Sequence, residues 1–164
     1  MSAFRALAYV FLIFACCMQA DARANLLASE PLLPTADQPG CTLRIHVDGL
    51  RNSTGVVGAA VFKSADGWPE DMDKTVHHWP TPILASAHEA TAVMENLPPG
   101  DYGVVAIHDE NKNRKLDRNF FGIPKEGFGF ANNPHVGLSA PPFRAAIVHV
   151  TCPVTETSIH LIYK

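Results

Sequence analysis

Apolar and polar residues alternate along several short segments of the chain. In CTLRIHVDGL (41–50), every second residue from Leu43 to Val47 is apolar, while the residues between them are charged or polar. This alternation is typical of a strand with one buried face. GVVGAAVF (55–62) is instead a continuous run of small and β-branched residues. Similar segments predict strands at 82–89, 90–97, 101–108, 143–150 and 157–163.

Turn-forming residues separate these segments, as in Arg51–Gly55 and Pro98–Gly100. Helical periodicity is almost absent apart from one expected turn within 68–80, and 13 prolines in 164 residues disfavour a helical bundle because each removes a backbone donor. The sequence therefore predicts an all-β fold. We expect an antiparallel two-sheet sandwich, immunoglobulin-like or transthyretin-like, with about seven strands and one long loop.

The long loop spans the 34 residues from 109 to 142. Loops longer than about 15 residues without regular structure are uncommon and tend to be functional. This loop is rich in large apolar side chains, so we expect it to fold back on an edge or end of the sandwich. The residues concerned are Phe120, Phe121, Ile123, Phe128 and Phe130.

The first 24 residues have the layout of an export signal. Arg5 precedes an apolar run, and small residues close the segment at Ala22-Arg23-Ala24. This order predicts a signal peptide at 1–24. The apolar run is about a dozen residues, fewer than the roughly 20 needed to cross a bilayer, so we expect no stable membrane span. Lipid attachment at Cys16 or Cys17 is an alternative.

The chain is therefore expected to consist of a signal peptide at 1–24, an extended leader at 25–40 and a β-sandwich domain at 41–164. After removal of the signal peptide the formal net charge changes from −3 to −4, because two cations and one acid are lost. A mildly acidic domain without a basic run lacks the footprint of a nucleic-acid-binding protein. We therefore expect an exported protein that is periplasmic or extracellular.

Two cysteines remain in the predicted domain, Cys41 and Cys152, each at the boundary of a predicted strand. An even pair in an exported chain favours a disulfide, here one that joins the first strand to the last hairpin. Two buried free thiols are the alternative. The disulfide would close a loop of about a hundred residues and add several kcal/mol of stability by the chain-entropy estimate.

The start of the long loop places oxygen-bearing residues at positions 1, 3, 5, 7 and 9 of a calcium-loop pattern. Arg114 stands at position 6, where such a loop prefers glycine, and Phe120 stands at position 12, where it needs glutamate; Glu126 could return as a distant ligand. In the alternative interpretation these residues cap turns. The candidate Ca²⁺ ligands are Asp109, Asn111, Asn113, Lys115 (by its carbonyl) and Asp117.

At this loop the chain resembles a known family. Three segments carry the resemblance: LPPGDYGVVAIHDENKNRKLD (97–117), GIPKEGFGFANN (122–133) and APPFRAAIVHV (140–150). They are similar to the uncharacterised bacterial exported family known as domain of unknown function 2141, over approximately 42–163. The resemblance implies a small β-sandwich and no established activity. That family commonly has glycine where this chain has Arg114.

A catalytic role has little support in the sequence. His108-Asp109 at a strand end is the most suggestive pair for acid–base chemistry. However, the chain contains no G-x-S-x-G, no H-E-x-x-H and no phosphate-binding glycine loop. A hydrolase using His108, Asp109 and Glu126 is therefore a remote alternative.

The sequence favours a non-enzymatic binding or accessory module of the cell envelope, with the 109–142 loop as its contact surface and an envelope protein or a glycan as its partner. A calcium-stabilised structural domain is the second interpretation. The candidate contact residues are Trp68, Trp79, His108, Glu126, Phe128 and Phe130.

Overall fold

Eight strands in two sheets make up the part of the chain that the computed structural model describes, residues 40–84 and 88–164 without the side chains of 77–79. The predicted signal peptide and all of the leader except Gly40 lie outside these residues. The strands are β1 (Cys41–Asp48), β2 (Val56–Phe62), β3 (Thr75–Thr81), β4 (Ala90–Leu97), β5 (Gly100–Asp109), β6 (Gly127–Phe130), β7 (Ile147–Val150) and β8 (Val154–His160). Two short 3₁₀ turns lie at Met72–Lys74 and Phe143–Ala146.

The smaller sheet has the order β4-β1-β8 and the larger one β3-β2-β5-β6, with β7 also paired to β5. All pairs are antiparallel except β1 with β8. The predicted all-β two-sheet sandwich is thus confirmed. In the described residues, no helix has the length and apolar character that a membrane span requires.

The two sheets bury their facing side chains against each other. The predicted alternation holds in β1, where Leu43, Ile45 and Val47 are buried and the residues between them are exposed. Met94 of β4 and Val104 of β5 belong to the same inner core. Burial of each such side chain stabilises the fold by about 1.5–3 kcal/mol.

The larger sheet is also apolar on its outer face, which explains the continuous run at 55–62. Ala60 and Phe62 of β2 point outward and form a second cluster with Val105, Phe128 and Phe130. The Trp68 ring packs on this face, with its centroid 5.3 Å from that of Phe62 and 5.6 Å from that of Phe130. The sheet is therefore apolar on both sides, and Trp68 covers part of its outer face.

Some predicted strands are displaced. No strand occupies 82–89 among its described residues; β3 precedes it at Thr75–Thr81, after the expected single helical turn. The strand predicted at 143–150 begins at Ile147, and the one at 157–163 runs from Val154 to His160. β6 was not predicted, because its residues GFGF alternate glycine with phenylalanine.

The expected disulfide is present: Cys41 at the start of β1 is bonded to Cys152 in the turn between β7 and β8. Their sequence separation is 111 residues, so the link closes almost the whole domain. Leu161 and Ile162 carry the chain from one sheet to the other, because Leu161 N donates to Asp48 O and Ile162 N donates to Phe128 O.

Candidate functional site

The first part of the long loop, residues 109–117, folds into a turn that satisfies its own polar groups; we call it the polar turn. The buried Asp109 carboxylate accepts hydrogen bonds from Asn113 N at 3.0 Å and Arg114 N at 2.7 Å. The Asn111 and Asn113 side-chain amides both donate to the Asp117 carboxylate, at 2.7 and 2.9 Å. Lys115 N also donates to Asn113 Oδ1 at 2.8 Å, so all five candidate calcium-binding residues lie in one hydrogen-bonded group.

Lys112 and Arg114 both adopt left-handed backbone, with φ of 62° and 63°. This conformation is strained for residues with a Cβ and is easy for glycine. The chain therefore has arginine at a position whose backbone favours glycine.

Glu126 fastens the polar turn to the segment that follows it. Its buried carboxylate accepts from Glu110 N at 3.0 Å and from Asp117 N at 2.9 Å. Lys125 N also donates to Asp117 O at 2.8 Å. Glu126 therefore connects both ends of the turn through two charge-assisted hydrogen bonds, which are stronger than neutral ones.

His108 lies on the opposite face of β5 from Asp109, since successive side chains of a strand alternate. It is completely buried, with Nε2 2.7 Å from Thr54 O and Nδ1 2.7 Å from the Tyr163 hydroxyl. A carbonyl can only accept, so Nε2 carries the proton and Tyr163 donates to Nδ1. Burial raises the pKa of Tyr163, which keeps its hydroxyl protonated as this arrangement needs. Both imidazole nitrogens are thus occupied by structural hydrogen bonds.

Arg51 and Glu110 form an ion pair at the edge of the polar turn. The Arg51 guanidinium donates to both oxygens of the Glu110 carboxylate, through Nε at 2.9 Å and through Nη2. Asn52 Nδ2 donates to the same carboxylate at 2.6 Å. Hydrogen bonding by Arg51 is the main cause that lowers the pKa of Glu110 to about 2, and the pKa of Arg51 is raised in return.

The rest of the long loop borders an apolar groove on the outer face of the larger sheet. The groove has a volume of about 1470 Å³. Its floor comprises outward-facing residues of β2, β5 and β6, including Ala60, Ile107 and Phe128. Its walls come from segments within 69–73, 114–124 and 136–140.

Residues 118–124 form a small hairpin beside the groove, which we call the aromatic tip. Arg118 and Pro124 pair as an antiparallel bridge, and Asn119 N donates to Ile123 O at 2.8 Å. Phe120 is 97% exposed and Phe121 83% exposed. The expectation that these two side chains fold back on the sandwich is therefore wrong, although the side chains of Phe128 and Phe130 do so.

The candidate contact residues occupy different environments. His108 and Glu126 are buried and hold backbone groups, so a partner at the surface does not reach them. Phe128 and Phe130 line the groove floor, and Trp68 is half-buried beside Phe143, with its Nε1 donating to Pro141 O at 3.0 Å. The Trp79 side chain lies outside the described part of the chain.

Sequence reasoning missed the groove floor and the partners of the polar turn. The continuous apolar run at 55–62 was a usable signal, because a strand covered on both faces loses its alternation. Arg51 gave no such signal, since its partner Glu110 is 59 residues away. Across residues 40–84 and 88–164, no three His, Cys, Asp or Glu side chains are grouped to hold a metal ion.

Comparison with known proteins gives one match. A family described as uncharacterized protein conserved in bacteria (DUF2141) matches residues 45–158. No curated protein and no solved structure matches the chain. The match runs from the second half of β1 through most of β8 and includes the polar turn, the aromatic tip and the groove floor. The chain therefore belongs to the DUF2141 family of uncharacterised bacterial proteins.

Proposed function

We propose that this protein is an exported binding module of the cell envelope, and that its contact surface is the groove bordered by the 109–142 loop. The observation that carries this proposal is the apolar outer face of the larger sheet, which is left partly open to a groove of about 1470 Å³. Ligand sites are concave and mostly apolar, with a few polar groups around them. The surface of the groove is mostly apolar, and charged residues such as Arg114, Lys115 and Asp73 stand among its lining residues.

Two further observations support export and an elongated apolar ligand. The Cys41–Cys152 disulfide suits an oxidising compartment outside the cytoplasm, and the layout of residues 1–24 is that of a signal peptide. The volume of the groove exceeds the roughly 300–1,000 Å³ of sites for small molecules. A stretch of apolar polypeptide or a long alkyl chain fits such a space better than a compact metabolite.

Photo-cross-linking in living cells tests the proposal. Leu138 is fully exposed and lines the groove, so replacing it with p-benzoylphenylalanine places a photoreactive group at the wall without disturbing the core. Irradiation is expected to give a covalent adduct, identified by mass spectrometry. An Ile107→Asp change in the groove floor is expected to reduce that adduct at least fivefold.

Val93 provides the matched control, because it is 44% exposed on β4 of the smaller sheet, away from the groove. The same photoreactive residue at this position should give no adduct. Equal adducts from both positions, or an adduct that persists in the Ile107→Asp variant with an unchanged melting temperature, would count against the groove as the contact surface.

A calcium-stabilised structural domain is the second candidate. The observation in its favour is that Asn111 and Asn113 converge on Asp117 within the polar turn, where the Lys115 carbonyl and Asp109 also lie. Calorimetric titration with Ca²⁺, and thermal unfolding with and without excess chelator, test it. Heat of binding together with a higher melting temperature in Ca²⁺ supports this candidate, and the absence of both excludes it.

A further inference from the structure

The aromatic tip is a defined structure that presents its apolar side chains to solvent. The Asn119 carbonyl accepts from Gly122 N at 2.9 Å, and its side-chain oxygen accepts from Phe121 N at 2.9 Å and Ile123 N at 3.0 Å. These bonds fix the backbone on which Phe120 and Phe121 stand. The two rings contact each other edge to face with centroids 5.5 Å apart.

The apolar surface extends beyond the two rings. Ile123 is 44% exposed, and Leu138 is fully exposed. Both residues line the groove together with Phe121, so the tip and the groove wall share apolar side chains. Exposed apolar groups that lie together mark sites of interaction with proteins or membranes.

In the same segment, the acidic side chains are bonded within the fold, whereas most of the basic side chains are exposed. The acidic side chains are held within the fold: Asp109 and Glu126 are buried, and Glu110 pairs with Arg51. Asp117 accepts from two asparagine amides. The cations point outward: the side chains of Lys112, Arg114, Lys115 and Lys125 are exposed, and none forms an ion pair with any residue that the structure describes.

Charged residues near this cationic surface reduce its positive charge but do not cancel it. Arg118 at the base of the tip pairs with Glu70 and so adds no net charge. Asp71 and Asp73, which also line the groove, belong to the separate 69–74 segment. Residues 109–126 contain five cations and four carboxylates, a net charge of +1. The exposed cations that form no ion pair with a described residue lie on both sides of the two exposed phenylalanines.

We infer that the aromatic tip docks on the surface of an anionic lipid bilayer. Phe120 and Phe121 enter the boundary between headgroups and acyl chains, while the four exposed cations approach lipid phosphates. Apolar side chains combined with Lys and Arg are the requirement for binding at a membrane interface, and anionic lipids attract the cations. The exposed cations and the exposure of both rings favour a lipid surface over a protein pocket. This inference rests on the proposed contact surface and names its partner.

Vesicle binding by the full chain tests this inference. Wild-type protein is expected to co-sediment with vesicles of equal parts phosphatidylglycerol and phosphatidylcholine, and to bind pure phosphatidylcholine at least tenfold more weakly. The double variant Phe120→Ser/Phe121→Ser should lose at least tenfold in affinity for the anionic vesicles. Raising the salt concentration to 0.5 M should weaken wild-type binding, because ions screen exposed charges.

The matched control replaces two exposed apolar residues away from the tip, Leu84→Ser/Val93→Ser, where the native side chains are 60% and 44% exposed. It should bind vesicles like the wild type. A Phe121→Trp variant reports on the tip directly: its added fluorescence should shift to shorter wavelength on anionic vesicles and be quenched by brominated acyl chains.

Four outcomes overturn the inference: no binding to anionic vesicles, undiminished binding by the Phe120→Ser/Phe121→Ser variant, equal binding to neutral vesicles, or no spectral change of Phe121→Trp. Photo-cross-linking from position 138 is independent of these readouts, so loss of vesicle binding with a persistent adduct rejects the lipid surface and leaves the proposed groove intact.

Discussion

The polar turn and the aromatic tip are neighbours in one long loop, yet they use their side chains in opposite ways. In the polar turn, carboxylates and amides accept or donate hydrogen bonds within the fold, so its composition is explained by folding alone. In the aromatic tip, backbone N–H groups donate to the Asn119 side chain and to backbone carbonyls and so close the hairpin, while Phe120 and Phe121 remain exposed. Two exposed phenylalanines contribute nothing to the core, and their presence therefore indicates a role outside folding.

The largest expected effect comes from removing the carboxylate that ties the polar turn together. Glu126→Ala leaves Glu110 N and Asp117 N without their acceptor, and hydrogen bonds to a buried charged group contribute about 1.5–3 kcal/mol each. We expect the free energy of unfolding, measured in urea, to fall by about 3–6 kcal/mol, because both bonds are lost. Glu95→Ala on exposed β4 surface is the control, and a similar small change in both variants would contradict this role.

Acidification should weaken the same turn through Glu110. Its pKa is lowered to about 2 in the folded protein from an ordinary 4.5, so the ionised carboxylate stabilises the fold above pH 4.5, and this contribution is lost as the pH falls towards 2. Glu110→Gln should reduce stability by about 1 kcal/mol at neutral pH, a value that allows for the partial exposure of the ion pair. Urea midpoints of the two proteins should converge near pH 2. A difference that stays constant with pH would contradict the assignment.

A smaller effect of opposite sign is expected at Arg114. Glycine adopts its φ of 63° without the steric penalty of a Cβ, although glycine also loses more chain entropy on folding. Arg114→Gly should therefore raise the free energy of unfolding by about 0.5 kcal/mol. Lys115→Gly, whose backbone is not left-handed, should lower it by a similar amount. Thermal unfolding of both variants measures the difference, and the same sign in both would refute the backbone explanation.

The smallest effect on stability should come from the tip. Phe120→Ser/Phe121→Ser removes exposed side chains, and surface changes of this kind usually stay within about 0.5 kcal/mol. Phe130→Ala, which truncates a buried ring of the outer cluster, should cost about 3–5 kcal/mol. Denaturation of the two proteins side by side checks this contrast. A marked loss of stability in the tip variant would mean that the rings are part of the core.

The strands with one buried face could be predicted from the sequence, because buried and exposed residues alternate along β1 and along β4 from Ala90 to Glu95. β3 could not be predicted, because TVHHWPT contains a proline. An edge strand tolerates Pro80, but only the assembled sheet shows that β3 lies at an edge. The glycines of β6 are likewise explained by tertiary contacts: a Cβ at Gly127 would stand 2.4 Å from the Tyr163 ring, and one at Gly129 2.6 Å from the Ile159 side chain.

Spacing indicated that the side chains of the polar turn would gather, because alternate short polar residues point to one side of a tight loop. Spacing could not show which groups would satisfy them, since Glu126 and Arg51 lie outside the turn in sequence. The exposure of the tip could not be predicted either, because a phenylalanine in a loop is expected to be buried when only the sequence is known. Only the position of each ring distinguishes Phe120 from Phe130.

The disulfide also governs what happens when the chain is cut. The aromatic tip at 118–124 lies between Cys41 and Cys152, so a protease that cleaves this exposed hairpin produces two pieces that remain covalently joined. Each piece contributes strands to both sheets, because β1, β2 and β5 lie before the cut and β6, β7 and β8 lie after it. A cleaved molecule is thus a tethered pair of complementary fragments, which separates on a gel only after reduction.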